Sequence, residues 1–313
     1  MINKNSKIYV AGHKGMVGSA IIRELSRNGY KNIVTRSSKE LDLRRQNEVE
    51  LFLEQEKPEC VILAAAKVGG IAANIKYPSE FITDNLLIQT NVISSSLNNS
   101  VKKLIFLGSS CIYPKDAPQP LMEDYLLSGK LEPTNEGYAI AKIAGLKMCE
   151  YYNRQYGVDF ISLMPCNLYG ENDNFNLEDS HVMASLIRRF HEAKVNELSH
   201  VDVWGSGTQL REFLYVDDFA DALVYVMENY KGHKFLNVGT GYDITIKELS
   251  ELIKQIVGYK GEIRFDTSKP DGMHRKIMDI SMIKNIGWNM KTDMYEGIDK
   301  TYKWYLDNKF LFE

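Results

Sequence analysis

Residues 7–26 read KIYVAGHKGMVGSAIIRELS: a short apolar run that breaks into three glycines and then resumes as a helical pattern. The glycines are Gly12, Gly15 and Gly18, spaced G-x-x-G-x-x-G. Glycine permits a tight turn and lets the backbone approach a pyrophosphate closely. Val17, Ile21, Ile22 and Leu25 share one face of the helix that follows. Its first N–H groups would then point at that anion. Three spaced glycines also fit an ordinary turn. Their place between a first strand and a first helix is what points to a dinucleotide.

Outward from this stretch, strand-like runs recur at 7–10, 32–35, 60–65, 104–107 and 160–164. Helical patterns lie between them, near 17–28, 46–56, 79–99 and 137–156. Strands alternating with helices predict an α/β fold with a doubly wound parallel sheet of Rossmann type. The run VILAAA at 61–66 is continuously apolar, as a strand buried on both faces should be. The pattern loosens after Pro165, where NLYGENDNFNLEDSH at 167–181 is polar and loop-like. Strand-like 201–204 and 234–238 then mix with helices near 181–195, 217–229, 245–256 and 294–307. These predict a smaller C-terminal domain. Residues 1–165 plus about 213–240 are assigned to the sheet domain, and about 166–212 plus 241–313 to the smaller one, with re-entry into the sheet left open.

The chain has 313 residues, 25% charged and 44% apolar, with a net charge of −3. That balance gives no reason to expect nucleic-acid binding. No apolar run reaches the roughly 18 residues of a membrane span, and the first residues carry no apolar leader core. The four cysteines, Cys60, Cys111, Cys149 and Cys166, form no C-x-x-C pair. A reducing cytoplasm is expected, with at least one thiol free for chemistry. The six histidines and the Asp217-Asp218 pair show no metal-ligand pattern, so no metal is expected. That acidic pair suits a helix N-terminus instead.

The end of the second strand carries Arg36, Ser37, Ser38 and Lys39, with no acid before Glu40. A cation with hydroxyls suits a ribose 2′-phosphate, hence NADP rather than NAD, and Lys14 inside the glycine loop adds charge. Arg36 and its neighbours also fit a solvated basic loop. Further on, LGSSCIYPK at 107–115 ends the fourth strand in two hydroxyls and a thiol. Tyr138 and Lys142, four apart on the next helix, share a face. A lysine ammonium there should lower the phenol's pKa and make it a usable proton donor to an alkoxide. With 18 tyrosines and 38 basic residues such a pair also arises by chance. The combination of glycine loop, Ser109 and Tyr-x-x-x-Lys is the argument.

Taken together, GHKGMVGSAI, AAAKVGGI, FLGSSCIYPK, LEPTNEGYAIAKIAG, NLYG, VWGSGTQLREF and SKPDG resemble the GDP-L-fucose synthase family of extended short-chain dehydrogenase/reductases, along nearly the whole chain. The resemblance implies NADPH-dependent reduction of the C4 ketone of GDP-4-keto-6-deoxy-D-mannose after epimerisation at C3 and C5. It makes Ser109, Tyr138 and Lys142 the reductase triad, and Cys111 and His181 the pair that moves protons at C3 and C5. The cofactor would rest on Gly12, Lys14, Gly15, Met16, Val17 and Gly18, with Arg36 and Ser38 at its phosphate. Ala64, Ala65, Leu107, Gly108, Tyr138, Lys142, Pro165, Asn167, Leu168 and His181 would line the rest of its path. Ser109, Ser110, Asn167, Arg189, Trp204, Arg211 and Asp271 would hold the GDP-sugar. A homodimer is implied, packed through the helices before and after the GSSCIYP segment.

The chemistry of the thiol reads independently. A C4 ketone acidifies the hydrogens on C3 and C5. A thiolate is a competent carbon base, and an acid must return the proton on the opposite face. Bland roles compete: Cys111 as a buried apolar residue, His181 as a first-turn helix residue capped by Asp179 or Ser180, Trp204 as core, Arg189 and Arg211 as surface pairs. For Cys60 and Cys149 the buried role is favoured. The chain also departs from the family pattern. Cys166 replaces a threonine, GENDNF at 170–175 lacks a Pro-His, Met273-His274 replaces Thr-Pro, and Ser38 stands in place of an arginine. Three alternatives follow: epimerase-reductase, C4-reductase of a related GDP-4-keto-6-deoxy sugar such as a heptose, or a nucleotide-binding regulator without turnover.

Overall fold

The computed structural model describes residues 2–177, 180–269 and 271–312. In the first half, β1 (Ile8–Ala11), β2 (Ile33–Val34), β3 (Cys60–Leu63), β4 (Lys103–Leu107) and β5 (Asp159–Pro165) alternate with helices. The helices are α1 (Met16–Arg27), α2 (Gln46–Glu56), α3 (Ile71–Lys76), α4 (Pro78–Asn98) and α5 (Glu136–Tyr156). The second half holds β6 (Asn167–Tyr169), α6 (Val182–Val195), β7 (His200–Trp204), β8 (Leu210–Arg211), β9 (Phe213–Tyr215), α7 (Val216–Asn229) and β10 (Leu236–Val238). It ends with β11 (Ile244–Thr245), α8 (Ile246–Val257), β12 (Glu262–Asp266), β13 (Arg275–Lys276), α9 (Ser281–Asn285) and α10 (Met294–Asn308).

The main sheet has the order β10-β5-β4-β3-β1-β2, every neighbour parallel. All residues of β1, β3 and β4 are buried, which is why they read as unbroken apolar runs. The order reverses between β1 and β3, and ligands bind beyond the strand ends at such a switch point. The chain does re-enter the sheet: β10 pairs with β5 through Leu236↔Leu163 and Val238↔Pro165. A large apolar cluster, including Ile62, Phe106, Leu146, Phe219 and Leu236, packs both faces.

A second cluster, with Phe190, Ile253 and Tyr302, lies among α6, α8 and α10. Local signals set these helices. Thr245 and Glu248 form a reciprocal capping box at the start of α8, and Gly258 closes it in the left-handed region. Asp217 and Asp218 sit in the first turn of α7, as the acidic pair suggested. Short pairings complete this half: β6 with β9, β12 with β7, and β8 between β11 and β13. Among the described residues no helix is long and apolar enough to cross a membrane.

Candidate active site

The glycine loop is built by close approach. Gly12 has φ +85°, and a Cβ there would lie 2.7 Å from the Ala65 backbone nitrogen. A Cβ on Gly18 would collide with the Gly12 carbonyl. These two glycines bring α1 and the ends of β1 and β3 together, with Ala64 N–H donating to the Ala11 carbonyl at 3.1 Å. Gly15 is different: it caps α1, is exposed, and a Cβ there would meet only the Gly12 carbonyl, at an ordinary contact distance of 3.6 Å. A loop packed tight on one side and open on the other is the cradle a pyrophosphate needs. Lys14 is exposed beside it. Arg36 follows β2, but its guanidinium is already engaged by Glu56 at 2.8 Å and lies 5.3 Å over the Phe52 ring. Ser38 is exposed, while Ser37 is bonded to Glu40.

Beyond β4 the chain turns sharply. Gly108 has no room for a side chain because Met164 fills the space. Ser109 follows in extended conformation, and its Oγ accepts from the Cys111 N–H at 3.2 Å, capping the 3-10 turn Ser110–Ile112. This cap leaves Ser109 and Cys111 half-buried, while Ser110 turns into the protein. Tyr138 and Lys142 come from the first turns of α5. The Ser109 hydroxyl and the Cys111 sulfur both lie near enough to the Tyr138 phenol to act on its ionisation. Lys142 Nζ donates to the Leu107 carbonyl at 2.8 Å and lies 5.7 Å from the Tyr138 ring.

The electrostatics correct the reading of the Tyr-Lys pair. Burial pushes the Tyr138 phenol up, with Cys111 adding to this and the Ser109 hydroxyl opposing it. Burial pushes the Lys142 ammonium down to about 7. Desolvation therefore outweighs the mutual attraction expected of the pair, and the phenol holds its proton firmly. The other thiols are inert. Burial raises Cys60 and Cys149 to about 12 and Cys166 well above the ordinary thiol range.

The sugar-nucleotide candidates lie on the short strand pairings of the second half and the segments beside them. Trp204, read as possible core, is instead 60% exposed at the end of β7. Arg189 lies 5.7 Å and Lys269 5.6 Å from its ring. Arg211 on β8 is half-buried, and burial lowers its pKa. Among the described residues neither Arg189 nor Arg211 forms an ion pair, so neither is the surface pair that seemed possible. Asp271 holds the adjoining turn by accepting from Ser206 N–H at 2.6 Å and Ser206 Oγ at 3.0 Å. An exposed indole flanked by cations suits a base, and a half-buried guanidinium without an ion pair suits a diphosphate. Among the described residues no three His, Cys, Asp or Glu side chains gather where a metal could sit.

A model of the NAD dependent epimerase/dehydratase family matches residues 8–239. GDP-L-fucose synthase 1 of Arabidopsis thaliana is 58% identical over 308 residues, covering 98% of this chain and 95% of that protein. The chain belongs to the GDP-L-fucose synthases of that family. GDP-L-fucose synthase of Escherichia coli (strain K12) is 51% identical, with 97% of each chain covered. Among solved structures, MlghC, a GDP-mannoheptose C4 reductase from Campylobacter jejuni with NADP bound, is 41% identical. Its TM-score is 0.90, with 98% of this chain and 100% of that one covered.

In this member of the GDP-L-fucose synthases, the remaining candidates fall around the same edge. Pro165 ends β5. Asn167 and Leu168 are half-buried on β6, and Asn167 Nδ2 donates to the Glu212 carbonyl at 2.8 Å. His181 is exposed and occupies the N-cap position of α6 itself; Asp179, one suggested cap, lies outside the described residues. Three residues went unnoticed in the sequence. Asn135 Nδ2 donates to Cys111 Sγ at 3.2 Å, and Lys276 Nζ stands 3.7 Å from the same sulfur. Glu212, 1% exposed, accepts from the N–H groups of Thr240, Gly241 and Met278. The LEPTNEGY stretch contains Asn135, but no spacing rule links position 276 to position 111.

Proposed function

We propose that the chain is an NADPH-dependent 3,5-epimerase and 4-reductase that converts GDP-4-keto-6-deoxy-D-mannose into GDP-L-fucose. The observation that carries this reading is the convergence of one hydroxyl, one thiol and one phenol, Ser109, Cys111 and Tyr138, beyond the end of β4. Binding alone needs no such set of proton-handling groups. NADPH, when bound, supplies the hydride to C4. Gly12, Gly15 and Gly18 would cradle its pyrophosphate, with Met16 and Val17 at the helix start and Lys14, Arg36 and Ser38 toward the 2′-phosphate. Ala64, Ala65, Leu107, Gly108, Pro165, Asn167, Leu168 and His181 would complete that surface, and Lys142 its sugar end.

The chain's own groups then divide the proton work. Cys111 takes the proton from the carbon beside the ketone. Ser109 and Tyr138 hydrogen-bond the enolate oxygen that forms. His181 returns a proton on the opposite face, which inverts the centre. In the final step Tyr138 gives its proton to the C4 oxygen. A phenol held protonated by burial is suited to be that donor. Arg189, Trp204, Arg211 and Asp271, with Ser110 and Asn167, would hold the GDP-sugar.

The two apolar clusters support division of the chain into an NADP-binding part, 1–165 plus about 213–240, and a nucleotide-sugar-binding part, about 166–212 plus 241–313, except that Cys166, Met278, Ile280, Ile283 and Trp288 pack with the first cluster and Phe213 and Tyr215 with the second. The exposed apolar residues Leu87 on α4 and Ile140 on α5 support a homodimer packed through those helices. Four free cysteines suit a reducing cytoplasm. The similarity to MlghC, with Cys166 and the 170–175 loop departing from the family pattern, favours as second reading a C4-reductase of a GDP-4-keto heptose. Cys111→Ser separates the two. In an epimerase-reductase it keeps reduction of a pre-epimerised sugar and loses conversion of GDP-4-keto-6-deoxy-D-mannose. Faster wild-type turnover of the heptose, unaffected by Cys111→Ser, would replace the first reading by the second.

A further inference from the structure

We propose that Lys276 is the electrostatic partner of Cys111: its ammonium faces the sulfur and holds it ready as the base that takes the sugar's carbon-bound proton. The proposal rests on the epimerase reading above. Cys111 Sγ receives two donors, Asn135 Nδ2 at 3.2 Å and Lys276 Nζ at 3.7 Å. A neutral thiol has a proton of its own to give and accepts hydrogen bonds weakly. A sulfur met by an amide N–H and an ammonium is arranged for the thiolate, the form that acts as base. Tyr138 also faces this sulfur, and burial keeps its phenol neutral.

Lys276 is half-buried, and among the described residues no carboxylate forms an ion pair with it. Its field also reaches Cys166, but burial and the nearby Glu212 carboxylate keep that thiol protonated. The backbone that carries Lys276 is fixed on every side. Strand β13 places Lys276 beside Arg211 on β8. The Ile277 N–H donates to Gln119 Oε1 at 2.9 Å, and the Ile277 carbonyl accepts from Leu121 N–H at 2.8 Å. The Met278 N–H donates to the buried carboxylate of Glu212 at 2.8 Å. These bonds tie the segment after Cys111 to the strand bearing Arg211, a diphosphate candidate. Lys276 thereby connects the base to the nucleotide end of the site.

The proton balance is simple. Cys111 gains the proton that the carbon loses, His181 supplies the one that the opposite face gains, and Lys276 stays protonated throughout. Lys276 is a positioning residue and gives no proton to the substrate.

The test uses full-length protein with Lys276→Met, Lys276→Gln and Lys276→Arg. Iodoacetamide alkylation of Cys111, followed by peptide mass spectrometry without substrate, reads the sulfur directly. The proposal predicts about tenfold slower alkylation at pH 7 in the Met and Gln variants. At pH 10 their rates should match or exceed wild type, and Lys276→Arg should stay near wild type at both. Deuterium exchange at C3 and C5 should fall at least tenfold more than reduction of pre-epimerised sugar, with KM for the GDP-sugar within twofold. Alkylation at pH 7 unchanged in both neutral variants would overturn the proposal. So would a large KM rise with equal loss of both half-reactions, which would make Lys276 a diphosphate ligand. If wild type turned over no GDP-4-keto sugar, the functional reading would fail, and the alkylation result would still decide the pairing.

Discussion

At the scale of single residues, the site is governed by desolvation. Tyr138 and Lys142 share a helix face, yet burial moves them in opposite directions from a phenolate-ammonium pair. The phenol keeps its proton until hydride transfer makes the C4 oxygen basic enough to take it, and the Lys142 pKa lies at about 7. Replacing Tyr138 with Phe should lower C4 reduction by about 10²- to 10⁴-fold, the usual worth of a positioned proton donor. NADPH binding, read by fluorescence titration, should change little. Lys142 also makes a pH prediction for the cofactor-free protein. Its folded pKa of about 7 lies below its ordinary value of 10.5. Between those values the unfolded chain holds a proton that the folded chain lacks, so stability rises with pH across that window. Denaturant midpoints measured from pH 7 to 8, below the range where the buried thiols of Cys60, Cys149 and Cys166 act in the opposite sense, should show the rise, and Lys142→Met should flatten it.

At the scale of elements, the readable parts were those with a repeated pattern. The glycine loop, the buried strands and the long helices stood within one or two residues of where periodicity put them. The strand expected at 60–65 stops at Leu63, because the backbone of Ala64 and Ala65 is drawn against Gly12. The two-residue strands β8, β11 and β13 escaped notice because two residues carry no period. They nevertheless position Arg211 and Lys276. Ser109 and Cys111 were legible because a hydroxyl and a thiol are out of place at a strand end. Asn135 and Lys276 were not, because their role exists only across distant segments. The packing of α1 gives its own prediction. Gly18→Ala should force α1 away from the Gly12 carbonyl, lowering stability by about 1–3 kcal/mol as an overpacked contact does. The same shift should weaken NADPH binding at least tenfold, and calorimetry reads both effects.

At the scale of the whole molecule, the candidate groups sit on three different strand systems. The cradle lies at the β1–β3 switch point, the proton-handling groups beyond β4, and the nucleotide candidates on β7 and β8. The exposed faces of α4 and α5 stand apart from these groups, so assembly and chemistry should separate. Ile140→Glu, at a position 42% exposed on α5, should convert a dimer into a monomer by light scattering without changing thermal unfolding of the chain by more than a few degrees. The central claim is that one set of side chains both inverts and reduces the same sugar. Turnover of GDP-4-keto-6-deoxy-D-mannose with NADPH in D₂O, followed by proton NMR of the product, tests it most directly. The account predicts an L-configured sugar with deuterium at C3 and C5 and a proton delivered from the cofactor at C4. A reduced product that keeps its original protons at C3 and C5, or no NADPH consumption at all, would contradict it.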